Sequence, residues 1–121
     1  KLISNTLVKN GSGASFLGSS RSEASGNIVG FNGIGFSVAA TSQATLSFNA
    51  MFNRENNYMI AGSPNAPAPE LKPESDLVAD PRFVDAEHDD FRLRPDSVLL
   101  NRGAFGYLGA LPPLKPDSAN P

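Results

Sequence analysis

Apolar and polar positions recur with a fixed period along the first sixty residues. Asn5, Asn27 and Asn49 stand 22 residues apart, and each opens a similar stretch. The first reads Asn5-Thr-Leu-Val-Lys-Asn10 and continues from Gly11 to Phe16. The second reads Asn27-Ile-Val-Gly-Phe-Asn32 and continues to Phe36; the third, Asn49-Ala-Met-Phe-Asn53, is one residue shorter and continues to Tyr58. Aligned on the first Asn, the apolar residues form columns. Leu2, Ala24 and Leu46 lie three residues before it, and Leu7, Val29 and Met51 two after it. Phe16, Phe36 and Tyr58 close the second part of each copy, with Gly18, Val38 and Ile60 two residues later.

Residues two apart on a strand share a face. Phe36 with Val38, and Tyr58 with Ile60, therefore predict short strands with one buried side. Gly within the copies weighs against an amphipathic helix, at about 1 kcal/mol per glycine. Even Ala39 to Leu46, the most helix-tolerant stretch, is short and reads as another face of the repeat. A period of this size marks stacked repeats. The pattern predicts an all-β solenoid of about three coils, each of 22 residues, stacked about 4.8 Å apart by parallel pairing.

Asn5, Asn27 and Asn49 form one polar row, and Asn10, Asn32 and Asn53 a second. Asn side chains bond backbone groups where a chain turns and tolerate left-handed backbone there. Stacked amides also bond along the row. Flanked by core columns, these rows read as internal turn ladders rather than sugar-binding rows.

The pattern divides the chain into coils over 1–61, a Pro-rich connector over 62–75, a closing segment over 76–110 and a loose tail over 111–121. The connector holds Pro64, Pro67, Pro69 and Pro73 and reads as an extended surface segment or an inserted loop. Beyond it, Phe83 and Asp85, then Phe91 and Leu93, alternate around an acidic turn and predict a hairpin.

Composition agrees with short strands and turns: there are 11 glycines and 10 prolines. The net charge is −2 without a run of Lys or Arg, which argues against a nucleic-acid groove. No apolar run reaches the roughly 18 residues of a membrane span. Cysteine is absent, so no disulfide forms. The opening Lys-Leu-Ile-Ser carries neither initiator Met nor signal peptide and reads as the start of a mature product or a fragment.

Asn27-x-Val29-x-x-Asn32-x-x-Gly35-Phe36-x-Val38 resembles the coil pattern of right-handed parallel β-helices, the pectate-lyase-like superfamily. Asp80-Pro81-Arg82-Phe83-Val84-Asp85, then Asp90-Phe91-Arg92-Leu93, Ser97, Gly103 and Gly109-Ala110, resembles the closing segment after the last coils of many bacterial surface and secreted β-helix proteins. The resemblance implies a right-handed parallel β-helix with a C-terminal capping hairpin, secreted or at the cell surface. The same ending occurs on polysaccharide lyases, glycoside hydrolases, epimerases and non-catalytic surface proteins, so it specifies fold more than activity. Family lyases use a Lys or Arg base, usually with calcium held by several acids. The coils here offer Lys1, Lys9, Arg21 and Arg54 but only Glu23 and Glu55 as acids.

Three clusters are candidates for chemistry. Asp85, Glu87, Asp89 and Asp90 are oxygen ligands close in sequence, a calcium candidate set against a solvated turn. The only histidine, His88, sits among them and reads as a surface residue rather than a general base. Lys9, Phe31 and Arg54 fall at outward positions of successive copies. An aromatic ring between two cations suits an anionic sugar chain; the alternative is an outer face covered by a neighbouring loop. Gly30, Gly33 and Gly35 lack the strand-turn-helix context of a dinucleotide fingerprint.

Two functions follow. The first is a non-catalytic structural or glycan-interaction module without a cofactor. The second is the C-terminal part of a lyase or hydrolase of acidic polysaccharide, with its catalytic coils largely outside this chain. With the closing segment capping one end, Leu2, Leu7 and Phe16 would face solvent at the other beside an unpaired edge. Exposed edges recruit other chains, which predicts self-association there as a dimer.

Overall fold

The computed structural model describes residues 1–19, 21–62, 65–102 and 107–114. The chain runs through β1 (Leu2–Ile3), β2 (Thr6–Val8), β3 (Ser12–Phe16), β4 (Arg21–Ser25), β5 (Ile28–Gly30), β6 (Ile34–Ala39), β7 (Gln43–Ser47), β8 (Ala50–Phe52) and β9 (Asn56–Ala61). Then come β10 (Ala66–Pro67), β11 (Leu77–Val78), β12 (Phe83–Asp85) and β13 (Asp90–Leu93), with single 3-10 turns at Pro69–Leu71 and Ala86–His88.

The 22-residue period sets the topology. Successive strands enter three different sheets, and each third strand returns to the first. The sheet orders are β1-β4-β7, β2-β5-β8-β11 and β3-β6-β9-β10. All pairings among β1 to β9 are parallel. Leu2 lies opposite Ala24 and Ala24 opposite Leu46; Leu7 lies opposite Val29 and Val29 opposite Met51. β11 extends its sheet in parallel, β10 joins β9 antiparallel, and β12 and β13 form an antiparallel hairpin. The protein is thus all-β, with three sheets that are parallel over most of their width.

One column differs from the alignment drawn on aromatic identity. Ala14, not Phe16, lies opposite Phe36, and Phe16 lies opposite Val38. Phe36 and Tyr58 do pair. Both Ala14 and Phe16 are inward positions, and Ala14 is too small to fill its own. The Phe16 ring meets Phe36 edge-on instead, with centroids 5.6 Å apart. Phe16 is accordingly buried rather than solvent-facing, while Leu2 and Leu7 are half-buried.

Alternation along β5 and β8 serves two cores. Val29 and Met51 turn inward, into a cluster with Phe16, Ala24, Phe36, Val38, Leu46 and Tyr58. Ile28 and Ala50 turn the other way, onto Phe83, Leu93, Leu99 and Leu108. The closing segment therefore covers the flank of the second sheet. Its β11 adds a strand at one end of that sheet, and its later residues meet the outward apolar positions on β5 and β8, which need cover.

Gly109 marks how closely that segment approaches. Its N–H donates to Gly26 O at 2.8 Å, and the next N–H, of Ala110, donates to Thr6 Oγ1 at 2.9 Å. A Cβ on Gly109 would stand 2.6 Å from that same hydroxyl, and its φ is +86°. Both features require glycine.

The Pro-rich connector is exposed at most of its described residues and is anchored at Ala68 and Leu71. Ala68 is fully buried, its N–H donates to Tyr58 O at 3.0 Å, and Leu71 packs on the first core. Pro64, Gly103, Phe105 and the tail beyond Leu114 lie outside the described residues. Among the described residues, no helix is long and apolar enough to cross a membrane.

Candidate functional site

The chain turns sharply before five of the six ladder Asn, Asn53 excepted. Ser4, Gly26 and Phe48 precede the first row, and Lys9 and Phe31 precede Asn10 and Asn32; all five have left-handed φ between 54° and 70°. Such conformations cost non-glycine residues about 1 kcal/mol or more, so the corners need fixing from outside. The amides supply this. Asn27 Oδ1 accepts from Asn5 N at 2.8 Å and Asn5 Nδ2 at 3.2 Å. Asn49 Oδ1 accepts from Asn27 N at 3.2 Å and Asn27 Nδ2 at 2.9 Å. The remaining amide hydrogens reach back to backbone carbonyls, Asn27 to Leu2 and Asn49 to Ala24. In the second row Asn32 Oδ1 accepts from Asn10 N, and Asn53 Oδ1 from Asn32 N and Nδ2. Asn27, Asn32 and Asn49 are wholly buried, with their polar atoms bonded within the rows and to backbone.

Both rows have a direction, and each ends where the 66–78 segment lies. Asp76 closes the first: its Oδ1 accepts from Asn49 N at 2.9 Å and Asn49 Nδ2 at 3.3 Å, and its Oδ2 accepts from the Tyr58 hydroxyl at 2.8 Å. Burial pushes the Asp76 carboxyl above its ordinary range, against the lowering pull of the bonds from Asn49 and Tyr58 and the charge of Lys72. Burial, joined by the bond to Asp76 and its charge, pushes the Tyr58 hydroxyl well up. The pair therefore retains a proton on Tyr58. Asn57 closes the second row. Its Oδ1 accepts from Asn53 N at 3.0 Å and Asn53 Nδ2 at 2.9 Å. Among the described residues its own amide nitrogen has no partner.

Beside this terminus is a cavity of about 310 Å³, lined by Glu55, Asn57, Tyr58, Pro67, Pro69 and Lys72 among others. It combines two charges and two amides, of Asn56 and Asn57, with apolar side chains. Sequence reasoning overlooks Asp76, Asn57 and this cavity. One signal was present: Asp76-Leu77-Val78 repeats the Asx-apolar-apolar pattern of Asn27-Ile28-Val29 and Asn49-Ala50-Met51.

The sugar-site trio is dispersed by the closing hairpin. Lys9 Nζ donates to Ala86 O at 2.7 Å and Asp89 Oδ1 at 2.9 Å, and it stands 5.4 Å from the centre of the Phe91 ring. Phe31 packs between Phe52 and Phe83, at 5.8 and 5.9 Å. Two of the three residues thus hold the hairpin to the repeats, because it brings both an acid and aromatic rings to that face. Arg54 is exposed.

The acidic turn is equally divided. Asp85 Oδ2 meets His88 Nδ1 at 2.8 Å, Asp89 takes Lys9, and Asp90 takes Arg92 through two bonds of 2.8 and 2.6 Å. Arg92 holds the Asp90 carboxyl below its usual range. Glu87 lies in the helical turn between the strands, and the His88 side chain is largely exposed. Among the described residues, no three His, Cys, Asp or Glu side chains converge in a way that could hold a metal ion. Compared with protein-family models, curated proteins and solved structures, the chain matches none.

Proposed function

We propose that this chain is a non-catalytic module of the right-handed, pectate-lyase-like β-helix kind, secreted by or displayed on a bacterium, that engages glycan chains. In this reading, β1 to β9 wind as successive coils. The observation that carries the proposal is the constant 22-residue register, which sets polar side chains in rows on the first sheet. Arg21 lies opposite Gln43, and Glu23 opposite Thr45. Rows repeating about every 4.8 Å offer like positions to a polymer of like units. Electrophoresis through gels containing pectin, alginate, xylan or cellulose derivatives tests it. Retardation in at least one gel is the expected result, and unretarded migration in all of them rejects the proposal.

Self-association belongs to the same proposal. Among the described residues β1, β2 and β3 each stand at one edge of their sheets, and in this reading a second copy is their partner. Light scattering across a concentration series reads a dimer, whereas a monomer at every concentration refutes the pairing.

The buried Tyr58–Asp76 pair beside a cavity favours a second reading, that of the C-terminal part of a polysaccharide lyase or glycoside hydrolase. Unsaturated or shortened products from pectin or alginate would establish it.

A further inference from the structure

The geometry points to the cavity at the end of the second asparagine row as a binding site for one neutral, hydroxyl-rich sugar unit of a longer glycan. This inference rests on the glycan reading above and gives it a location. Three observations carry it. Asn57 commits its oxygen to Asn53 and keeps an amide nitrogen without a partner among the described residues, at the wall of the cavity. Glu55 supplies an exposed acceptor in the same lining, and Lys72 a donor whose ammonium makes only a long bond, 3.3 Å, to Pro73 O. Pro67 and Pro69 give the lining an apolar part.

A pyranose ring has the matching chemistry. Its hydroxyls both donate and accept, and its C–H face packs on apolar side chains. The volume of about 310 Å³ is at the small end of ligand sites and suits a single ring. The lining carries one acid, Glu55, and one cation, Lys72, so it has no surplus cation for a carboxylated sugar. The Tyr58 hydroxyl is occupied by Asp76 and takes no part in holding the sugar.

The test is a titration of the isotope-labelled full chain with cello-, xylo- and manno-oligosaccharides and with oligogalacturonate, followed by NMR. A neutral oligosaccharide is expected to shift the Asn57 side-chain amide. Asn57→Asp keeps the oxygen that Asn53 needs and removes the donor, as Asp76 already does in the other row. It should weaken binding at least tenfold with the fold intact. Lys72→Ala, at an exposed position outside both rows, should weaken it severalfold and decides the matter if Asn57→Asp does not fold. Full-strength binding by the folded variants overturns this site while leaving the glycan reading standing. Tighter binding of oligogalacturonate overturns the neutral class. No binding of any oligosaccharide overturns both the site and the glycan reading.

Discussion

The two ends of the first asparagine row share a backbone register and differ in chemistry. At the N-terminal end, Asn5 donates to Ile3 O and Asn27 Oδ1, and its own Oδ1 has no partner among the described residues. At the other end Asp76 accepts from Asn49 and Tyr58 and has nothing left to donate. The strands differ in the same way. Among the described residues no strand lies beyond β1, β2 or β3, while at the other end β8 is extended by β11 and β9 by β10 and the turn at Pro69–Leu71, with β7 an edge as well. A row of amides transmits a donor-to-acceptor polarity. A carboxylate, which only accepts, ends such a row at the side where acceptors are required.

The largest expected effect contrasts a glycine under the row with one at the bare edge. A Cβ on Gly35 would stand 2.5 Å from Asn57 O and 2.7 Å from Asn53 Nδ2, whereas one on Gly11 meets nothing within 4 Å. Gly35→Ala should cost about 3 kcal/mol or more, and Gly11→Ala should stay within about 0.5 kcal/mol of wild type, both read from urea unfolding. Equal costs would mean that the second row is not packed as described.

Next in size is the contrast within the first row. Asn49 is buried and bonded on both sides, so Asn49→Ala leaves Asn27 N and the Ala24 carbonyl unsatisfied and should cost about 3 kcal/mol. Asn5, half-buried at the edge, should cost about 1 kcal/mol on the same change. If the two were equal, the row would have no interior.

The closing carboxylate gives the third contrast, in pH. Burial raises the Asp76 carboxyl in the folded state above its ordinary 3.8, so the folded chain binds this proton more tightly than the unfolded one. Its contribution to stability is therefore greatest below that ordinary value and is lost as pH rises through the raised folded value. Asp76→Asn keeps an acceptor oxygen for Asn49 and removes the titration. Its stability relative to wild type should rise across that window, measured by urea unfolding at successive pH values. A difference that does not change with pH contradicts the assignment.

The smallest effect lies on the flank. Lys9 and Asp89 are both substantially exposed, so Lys9→Ala should cost about 1 kcal/mol or less, and less still in high salt.

The period was legible because both asparagine rows and the columns through Leu7 and Leu46 occupy fixed corners and inward positions, where few residue types serve. Phe16 was misplaced for the converse reason. Two inward positions of β3 reach the same part of the core, and an aromatic at either one fills it. Asp76 escaped notice because the connector sets it 27 residues after Asn49 and because a carboxylate there resembles an ordinary surface acid. Asn57 supplies its rung only four residues after Asn53, outside any 22-residue count. The outward use of Ile28 and Ala50 was equally hidden, since alternation gives two faces without naming what covers the second.

The register itself is open to the most direct measurement, because the chain has no cysteine to confuse it. Arg21 lies opposite Gln43 and Glu23 opposite Thr45 on the exposed face of the first sheet. Parallel neighbours about 4.8 Å apart fall within disulfide reach, whereas a partner two residues further along lies about 8 Å away and outside it. The double variants Arg21→Cys with Gln43→Cys, and Glu23→Cys with Thr45→Cys, should oxidise readily to an intramolecular disulfide. Arg21→Cys with Thr45→Cys should not. Equal oxidation of the offset pair, or failure of both in-register pairs in a folded chain, would contradict the 22-residue register.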